Sequence, residues 1–297
     1  MVIGQGVSHR SGGQRIRVAT PTLPGMTGTI DYATAGPLTT VDPIHEPALA
    51  NLPSEPVEIC RLVHGLVIQP RDATGLGIAA ERFGENQLRP VDGMIGALLA
   101  LDPAPLTVPR GPNRRVIGTC RHFAVLSCAL LRHRGIAARA RCGFATYFQP
   151  EHGVDHWITE YRHDGRWVRI DSEILGLSVV ATPENLAAGE FLTGGEAWAA
   201  FRTGQIDAAR FGVPGTDNWG PAEIRGNAIR DLAALNRVEM LPWDEWGRME
   251  ASYQGRTGPD YDDLIDTVAA TCATDDAGAV GNLYASADLA VPTTFLP

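Results

Sequence analysis

Gly118-Thr119-Cys120-Arg121-His122-Phe123, followed by the apolar run Ala124-Val125-Leu126 and the exit Leu130-Leu131-Arg132-His133-Arg134-Gly135, is the stretch from which the fold is read. Phe123, Leu126, Leu130 and Leu131 recur near helical spacing, with Ala124, Val125 and Cys128 between them, so a buried helix is predicted from Cys120 to about Arg134. Thr119 suits the N-cap. Gly135 suits a left-handed position just past the helix, and Arg132, His133 and Arg134 meet its negative end. Cys120 then lies in the first helical turn, where the positive end of the helix dipole favours thiolate over thiol.

A second signal lies downstream. Asp164-Gly165 is a two-residue hairpin turn, because both positions tolerate positive φ. With that turn, His163 faces Arg166, Arg162 faces Trp167, Glu160 faces Arg169 and Ile158 faces Asp171. Alternation puts His156, Ile158, Glu160 and Arg162 on one face with Trp167, Arg169 and Asp171. Trp157, Thr159, Tyr161, Val168 and Ile170 occupy the other face, which suits a core. His156 and Asp171 become diagonal neighbours about 7–8 Å apart at Cα, close enough for imidazole and carboxylate to meet. A slip of one residue would part them. A cysteine at a helix start, a histidine and a carboxylate that holds its tautomer form the cysteine version of a nucleophile–base–orienter triad: Cys120, His156 and Asp171.

These residues resemble the transglutaminase-like superfamily, whose core is papain-like. The resemblance is carried by Gly118-Thr119-Cys120, by Leu130-Leu131-Arg132-His133-Arg134-Gly135-Ile136-Ala137-Ala138-Arg139, by His156-Trp157-Ile158 and by Trp167-Val168-Arg169-Ile170-Asp171. It covers about 115–172 and is most similar to bacterial transglutaminase-like proteins. It departs after Asp171, where Ser172-Glu173-Ile174 stands in place of a proline or small polar turn. The resemblance implies an α+β fold, with the nucleophile helix packed on an antiparallel sheet and helical additions on both sides. It also implies the Cys-His-Asp triad. It leaves the substrate open, since the superfamily spans cross-linking, amide hydrolysis, peptide deglycosylation, amide-bond synthesis and inactive scaffolds.

Composition bounds the rest. The 297 residues carry 44% hydrophobic side chains and a net charge of −9, which provides for a sizeable core and disfavours nucleic acid as a partner. All 25 basic residues are arginine, so the chain cannot serve as its own lysine substrate. Five cysteines, at 60, 120, 128, 142 and 272, show no disulfide framework. With no apolar run of membrane-spanning length and no apolar leader in residues 1–30, a cytoplasmic protein without a membrane partner is expected. Cys120, His122, Cys128 and Cys142 lack Cys-x-x-Cys or His-x-x-x-His spacing, and neither a metal nor a cofactor is expected.

Around the core, residues 1–14 read as disordered, and Arg15–Val18 and Gly28–Thr34 as short strands. A helix capped by Ser54 carries Ile59, Leu62, Val63 and Leu66 on one face, with Cys60 and His64 within it; two more helices are expected at Leu76–Leu88 and Val91–Leu101. Beyond the core, about 182–250 reads as a helical addition: a segment opened by Thr182-Pro183-Glu184, a helix over Glu196–Gly204 and a long one over Ala222–Met240. Asp231, Asn236 and Glu239 are taken to cap or solvate, Trp243 and Trp246 to pack in the core before lining a pocket, Leu264–Ala270 as a short helix, and Gly278–Pro297 as loosely structured. The chain is read as one domain.

Arg121 and His122 follow the nucleophile and either bind a substrate carboxylate or fill surface positions; the Asn113-Arg114-Arg115 loop is read as a solvated connector before a source of a second oxyanion donor, and Asn113 and Trp157 are kept as candidate substrate contacts. The activity expected is cysteine-dependent acyl transfer on a peptide, protein or small-molecule amide or ester through a thioester, with hydrolysis preferred to amine transfer. The alternative is a non-catalytic scaffold or ligand-binding module that keeps the fold.

Overall fold

The computed structural model describes residues 30–286 and 288–297. In chain order its elements begin with α1 (Pro56–His64), β1 (Val67–Ile68), α2 (Pro70–Thr74), α3 (Val91–Leu101) and β2 (Val116–Ile117). The centre of the chain follows: α4 (Cys120–His133), β3 (Ala138–Ala145), β4 (Gly153–His163), β5 (Arg166–Ile170) and β6 (Phe191–Thr193). Then come α5 (Gly194–Arg202), β7 (Phe211–Gly212), α6 (Pro221–Leu235), α7 (Met249–Tyr253), α8 (Pro259–Cys272) and α9 (Ala277–Tyr284).

The organising sheet runs β5-β4-β3-β6, antiparallel throughout, with β7 added in parallel to β4. The hairpin has the register expected from its turn, with Glu160 opposite Arg169 and His163 opposite Arg166. Asp164 and Gly165 take φ of 47° and 76°, the positive values that a tight two-residue turn needs. Trp157, Tyr161, Val168 and Ile170 bury into one core with Val125, Leu126 and Leu130 of α4, joined by Ile59 and Val63 of α1 and Met94 and Leu98 of α3. The opposite face meets α6, where Arg141 forms a bidentate pair with Asp231 at 2.9 and 2.8 Å. Beyond that pair a second core joins Trp198 of α5, Ile224, Ile229 and Leu232 of α6, and Ile265 and Val268 of α8. The fold is therefore α+β, with a helix-covered antiparallel sheet at its centre.

Close backbone approach explains one glycine here. A Cβ on Gly143 of β3 would stand 2.1 Å from the Leu192 carbonyl oxygen, so β6 can pair at that point only with glycine opposite.

Several sequence expectations are corrected at their edges. Glu55, not Ser54, is the extended residue before α1, because Pro56 fits the first helical position. Leu76–Leu88 contains a 3-10 helix over Ala80–Gln87 rather than an α-helix. Residues 30–34 form a turn, not a strand, with Ala33 N–H donating to Asp31 Oδ1 at 2.9 Å. Residues 1–14 and Arg15–Val18 lie outside the described residues. Thr182-Pro183-Glu184 opens no helix: the segment is a set of turns, and the Pro183 carbonyl is spent on the Asp171 N–H at 2.9 Å. The expected helix over Glu196–Gly204 is α5, that over Ala222–Met240 ends at Leu235, and that over Leu264–Ala270 lengthens to α8. Gly278–Pro297 contains most of α9, capped by Asp276. Asp231 and Glu239 do not solvate, being fully buried against Arg141 and Arg132. Trp246 packs in the second core and donates to the Leu289 carbonyl at 2.9 Å, while Trp243 is 41% exposed.

Candidate active site

The short parallel pair β1–β2 leads the chain into α4, with Gly118 N–H donating to the Ile68 carbonyl at 3.0 Å. Thr119 is the N-cap in extended backbone, and its N–H donates to Nδ1 of His122 at 3.1 Å. His122 thus takes the third-position role that glutamate or glutamine fills in a capping box. A Cβ on Gly118 would fall 2.5 Å from His122 Cγ, so the glycine two residues before the cysteine makes room for this cap. Cys120 is then the first residue of α4, buried at the positive end of the helix dipole.

His156 projects from β4 and is 3% exposed. Its Nε2 lies 2.8 Å from Oδ2 of Asp171, just beyond β5. That contact is the diagonal pairing expected from the hairpin register. Asp171 is held on both oxygens: Oδ2 also accepts the Tyr147 hydroxyl at 2.6 Å, and Oδ1 accepts the Glu173 N–H at 2.9 Å. With Nε2 engaged by the carboxylate, Nδ1 is the nitrogen left for the thiol. A ring nitrogen of His156, Sγ of Cys120 and a carboxylate oxygen of Glu173 all lie within 4.8 Å of one another. Tyr147 and Phe148 wall the imidazole edge-on, at 6.2 and 5.0 Å between ring centroids.

The electrostatics of the pair follow from burial and these partners. Burial opposes a charge on His156, but the Asp171 carboxylate outweighs it, with help from Cys120, and holds the imidazole well above its ordinary range. Burial also pushes the Cys120 thiol up, and the hydrogen bond and charge of His156 only partly offset this. The thiol is therefore not lowered as its helix-start position alone suggests. The other four cysteines are also pushed up by burial, Cys60 and Cys128 to about 12.

Of the four further sequence candidates, Arg121, His122 and Trp157 are buried and Asn113 is exposed. Arg121 is fully buried, and its guanidinium donates to the carbonyls of Leu88, Arg89 and Glu239, bracing the α4 start against the segments beside it. His122 is buried in its capping role, its pKa driven down to about 3 by burial and the neighbouring Arg121, and it stays neutral. Trp157 packs in the core beneath α4. Asn113 sits in the 3-10 turn Pro112–Arg114, where its carbonyl accepts from Arg82 at 2.7 Å. Tyr147, Phe148 and Glu173 escape sequence reasoning. The first two follow β3 with no spacing that ties them to His156, and Glu173 appears in the sequence only as a departure after Asp171. A cavity of about 930 Å³ opens elsewhere, between Arg141, Glu160 and Arg169 of the sheet and Trp198 of α5, and its lining includes none of Cys120, His156 or Asp171.

Among the described residues no helix is long and apolar enough to cross a membrane. No curated protein matches the chain. Among solved structures the chain is similar to one described as a "Putative Cysteine Protease from Cytophaga hutchinsonii", at 17% identity and a TM-score of 0.34, over 55% of this chain and 44% of that one. The chain thus spans less than half the length of that structure. The profile of the transglutaminase-like superfamily matches residues 110–172, the segment that runs from the approach to Cys120 through His156 to Asp171 and Ser172. Through this segment the chain is similar to the transglutaminase-like superfamily.

Proposed function

We propose that the protein is a cysteine-dependent acyl-transfer enzyme in which Cys120 is the nucleophile, His156 the general base and acid, and Asp171 the group that orients His156. The observation that carries this reading is the convergence of three elements: a thiol at the start of α4, an imidazole on β4 within 4.8 Å of it, and a buried carboxylate 2.8 Å from the far ring nitrogen.

The chemistry follows from those positions. Nδ1 of His156 takes the thiol proton as Sγ attacks a carboxamide or ester carbonyl. The tetrahedral intermediate collapses to a thioester as the imidazolium returns that proton to the leaving amine or alcohol. Asp171 stabilises the imidazolium between those two moments, while Tyr147 and the Glu173 N–H keep its oxygens from turning away. Water or an amine then attacks the thioester, with His156 again as base. Hydrolysis is the preferred outcome, because water is always present as acceptor. The substrate class is a peptide, protein or small-molecule amide or ester.

The test needs no substrate. Iodoacetamide labelling followed by mass spectrometry is carried out on the wild type and on His156→Ala, in the presence of a chelator. Cys120 is expected to label faster than Cys60, Cys128, Cys142 and Cys272, and the mutation is expected to slow it at least about tenfold. Labelling of Cys120 at the rate of the other four cysteines, unchanged by the mutation, would overturn the enzyme reading in favour of a non-catalytic module.

A further inference from the structure

One side chain at the site, that of Glu173, has no part in that chemistry. Glu173 is two residues past Asp171, with its side chain 7% exposed. Its backbone is pinned twice, by the N–H that donates to Asp171 Oδ1 at 2.9 Å and by the carbonyl that lies 2.9 Å from His64 Nδ1. Its Oε1 has a long contact of 3.5 Å with Arg71, whereas its buried Oε2 has no hydrogen-bond partner among the described residues. A buried carboxylate oxygen without a partner is expensive. This one belongs to the carboxylate that stands within 4.8 Å of both the Cys120 sulfur and a His156 nitrogen.

We propose that Cys120, His156 and Glu173 form a binding site for a divalent transition-metal ion, of which Zn²⁺ fits best, and that the ion reversibly masks the nucleophile. The donor set is one thiolate, one imidazole nitrogen and one carboxylate oxygen, all of them groups that zinc accepts. Bonds of about 2.0–2.3 Å at tetrahedral angles place ligand atoms roughly 3.3–3.6 Å apart, a spacing that the 4.8 Å cluster reaches with small side-chain rotations. The imidazole is already supported as a metal ligand needs, since Asp171 engages Nε2 and leaves Nδ1 to the ion. A thiolate and an imidazole in a site of three protein ligands disfavour Mg²⁺ and Ca²⁺, which require oxygen ligands in larger number. Binding releases the thiol proton to solvent and changes no oxidation state. The fourth position is open, and the Sγ lone pair that would attack a carbonyl is committed to the metal.

The consequence for catalysis rests on Cys120 and His156 being the reactive pair proposed above, and the experiment separates the two claims. The full chain is stripped with a chelator, then titrated with Zn²⁺ by calorimetry and with Co²⁺ by absorption. One ion per chain is expected, with a thiolate-to-cobalt charge-transfer band that disappears in Cys120→Ser. Zn²⁺ should slow iodoacetamide labelling of wild-type Cys120 at least about tenfold, and excess chelator should restore it. Glu173→Gln should weaken ion binding at least about tenfold, with folding verified by circular dichroism and zinc protection expressed relative to the variant's own labelling rate in chelator. No stoichiometric binding, a band that persists in Cys120→Ser, or unchanged affinity in Glu173→Gln would each refute the site. Fast Cys120 labelling that zinc does not slow overturns the metal site and leaves the enzyme reading standing. A cobalt–thiolate band in a chain whose Cys120 is inert in chelator supports the metal site and overturns the enzyme reading.

Discussion

Glu160 ties the hairpin that carries His156 to the elements around it, and its replacement by glutamine has a calculable effect. Its side chain is 3% exposed and holds three guanidinium groups: Oε2 meets Arg139 at 2.6 Å and Arg141 at 2.9 Å, and Oε1 meets Arg169 at 3.0 Å. Burial alone would push this carboxyl up, but Arg141, Arg139 and Arg169 outweigh it and hold it well below the usual carboxylate range. Removing one member of a buried charge pair costs about 3–5 kcal/mol when the partner is left uncompensated. Here each arginine keeps another acid, Asp275 for Arg139, Asp231 for Arg141 and Glu196 for Arg169. Glutamine also retains one oxygen to accept a bond. The expected cost of Glu160→Gln is therefore at the lower end, about 3 kcal/mol at pH 7. The pH dependence has a definite sign. A carboxyl whose folded-state pKa is depressed contributes stability that is full above its unfolded value, about 4.3, and lost as pH falls toward the folded one. The gap between wild type and variant, measured by urea unfolding, should thus hold from pH 8 to about pH 5 and shrink below pH 4. A gap under about 1 kcal/mol at pH 7, or one that stays constant down to pH 3, would refute the reasoning.

Other expectations concern the site and the sheet. Asp171→Asn keeps the shape of the orienting group but removes the charge that favours the imidazolium, so Cys120 labelling should slow at least about tenfold; an unchanged rate would remove Asp171 from the triad. Tyr147→Phe deletes a 2.6 Å hydrogen bond to the same carboxylate, and labelling should slow by severalfold to about tenfold with the melting temperature little changed. Gly143→Ala drives a methyl group into the Leu192 carbonyl and should destabilise by about 3 kcal/mol, read as a lower urea midpoint; a neutral result would mean that β6 shifts freely away from β3.

The core of the fold was legible because its signals are local and mutually consistent. Helical spacing after Cys120 and the break at Gly135 mark α4, and the Asp164-Gly165 turn sets the β4–β5 register. Because side chains alternate along a strand, that register places His156 and Asp171 on one face without any long-range information. The failures occur where the deciding partner is distant in the chain. Asp231 and Glu239 look like solvated helix residues until Arg141 and Arg132 are brought against them, 90 and 107 positions away. Thr182-Pro183-Glu184 has the residues of a helix start, yet its backbone is claimed by Asp171 instead.

By itself the sequence determined the helix start that presents Cys120 and the strand pairing that joins His156 to Asp171, since each depends on neighbours within one turn or one hairpin, while the α+β class followed from the resemblance those residues carry. Only the tertiary structure decided what surrounds that trio. The thiol and the imidazole come from separate elements, and their approach depends on how α4 packs over β3 and β4. Tyr147 and Glu173 reach Asp171 and Cys120 through loops whose path no periodicity encodes. The direction of the Cys120 pKa belongs to the same level: the helix start is a local feature that favours thiolate, whereas burial is a property of the whole packed molecule and pushes the thiol up against the opposing pull of His156.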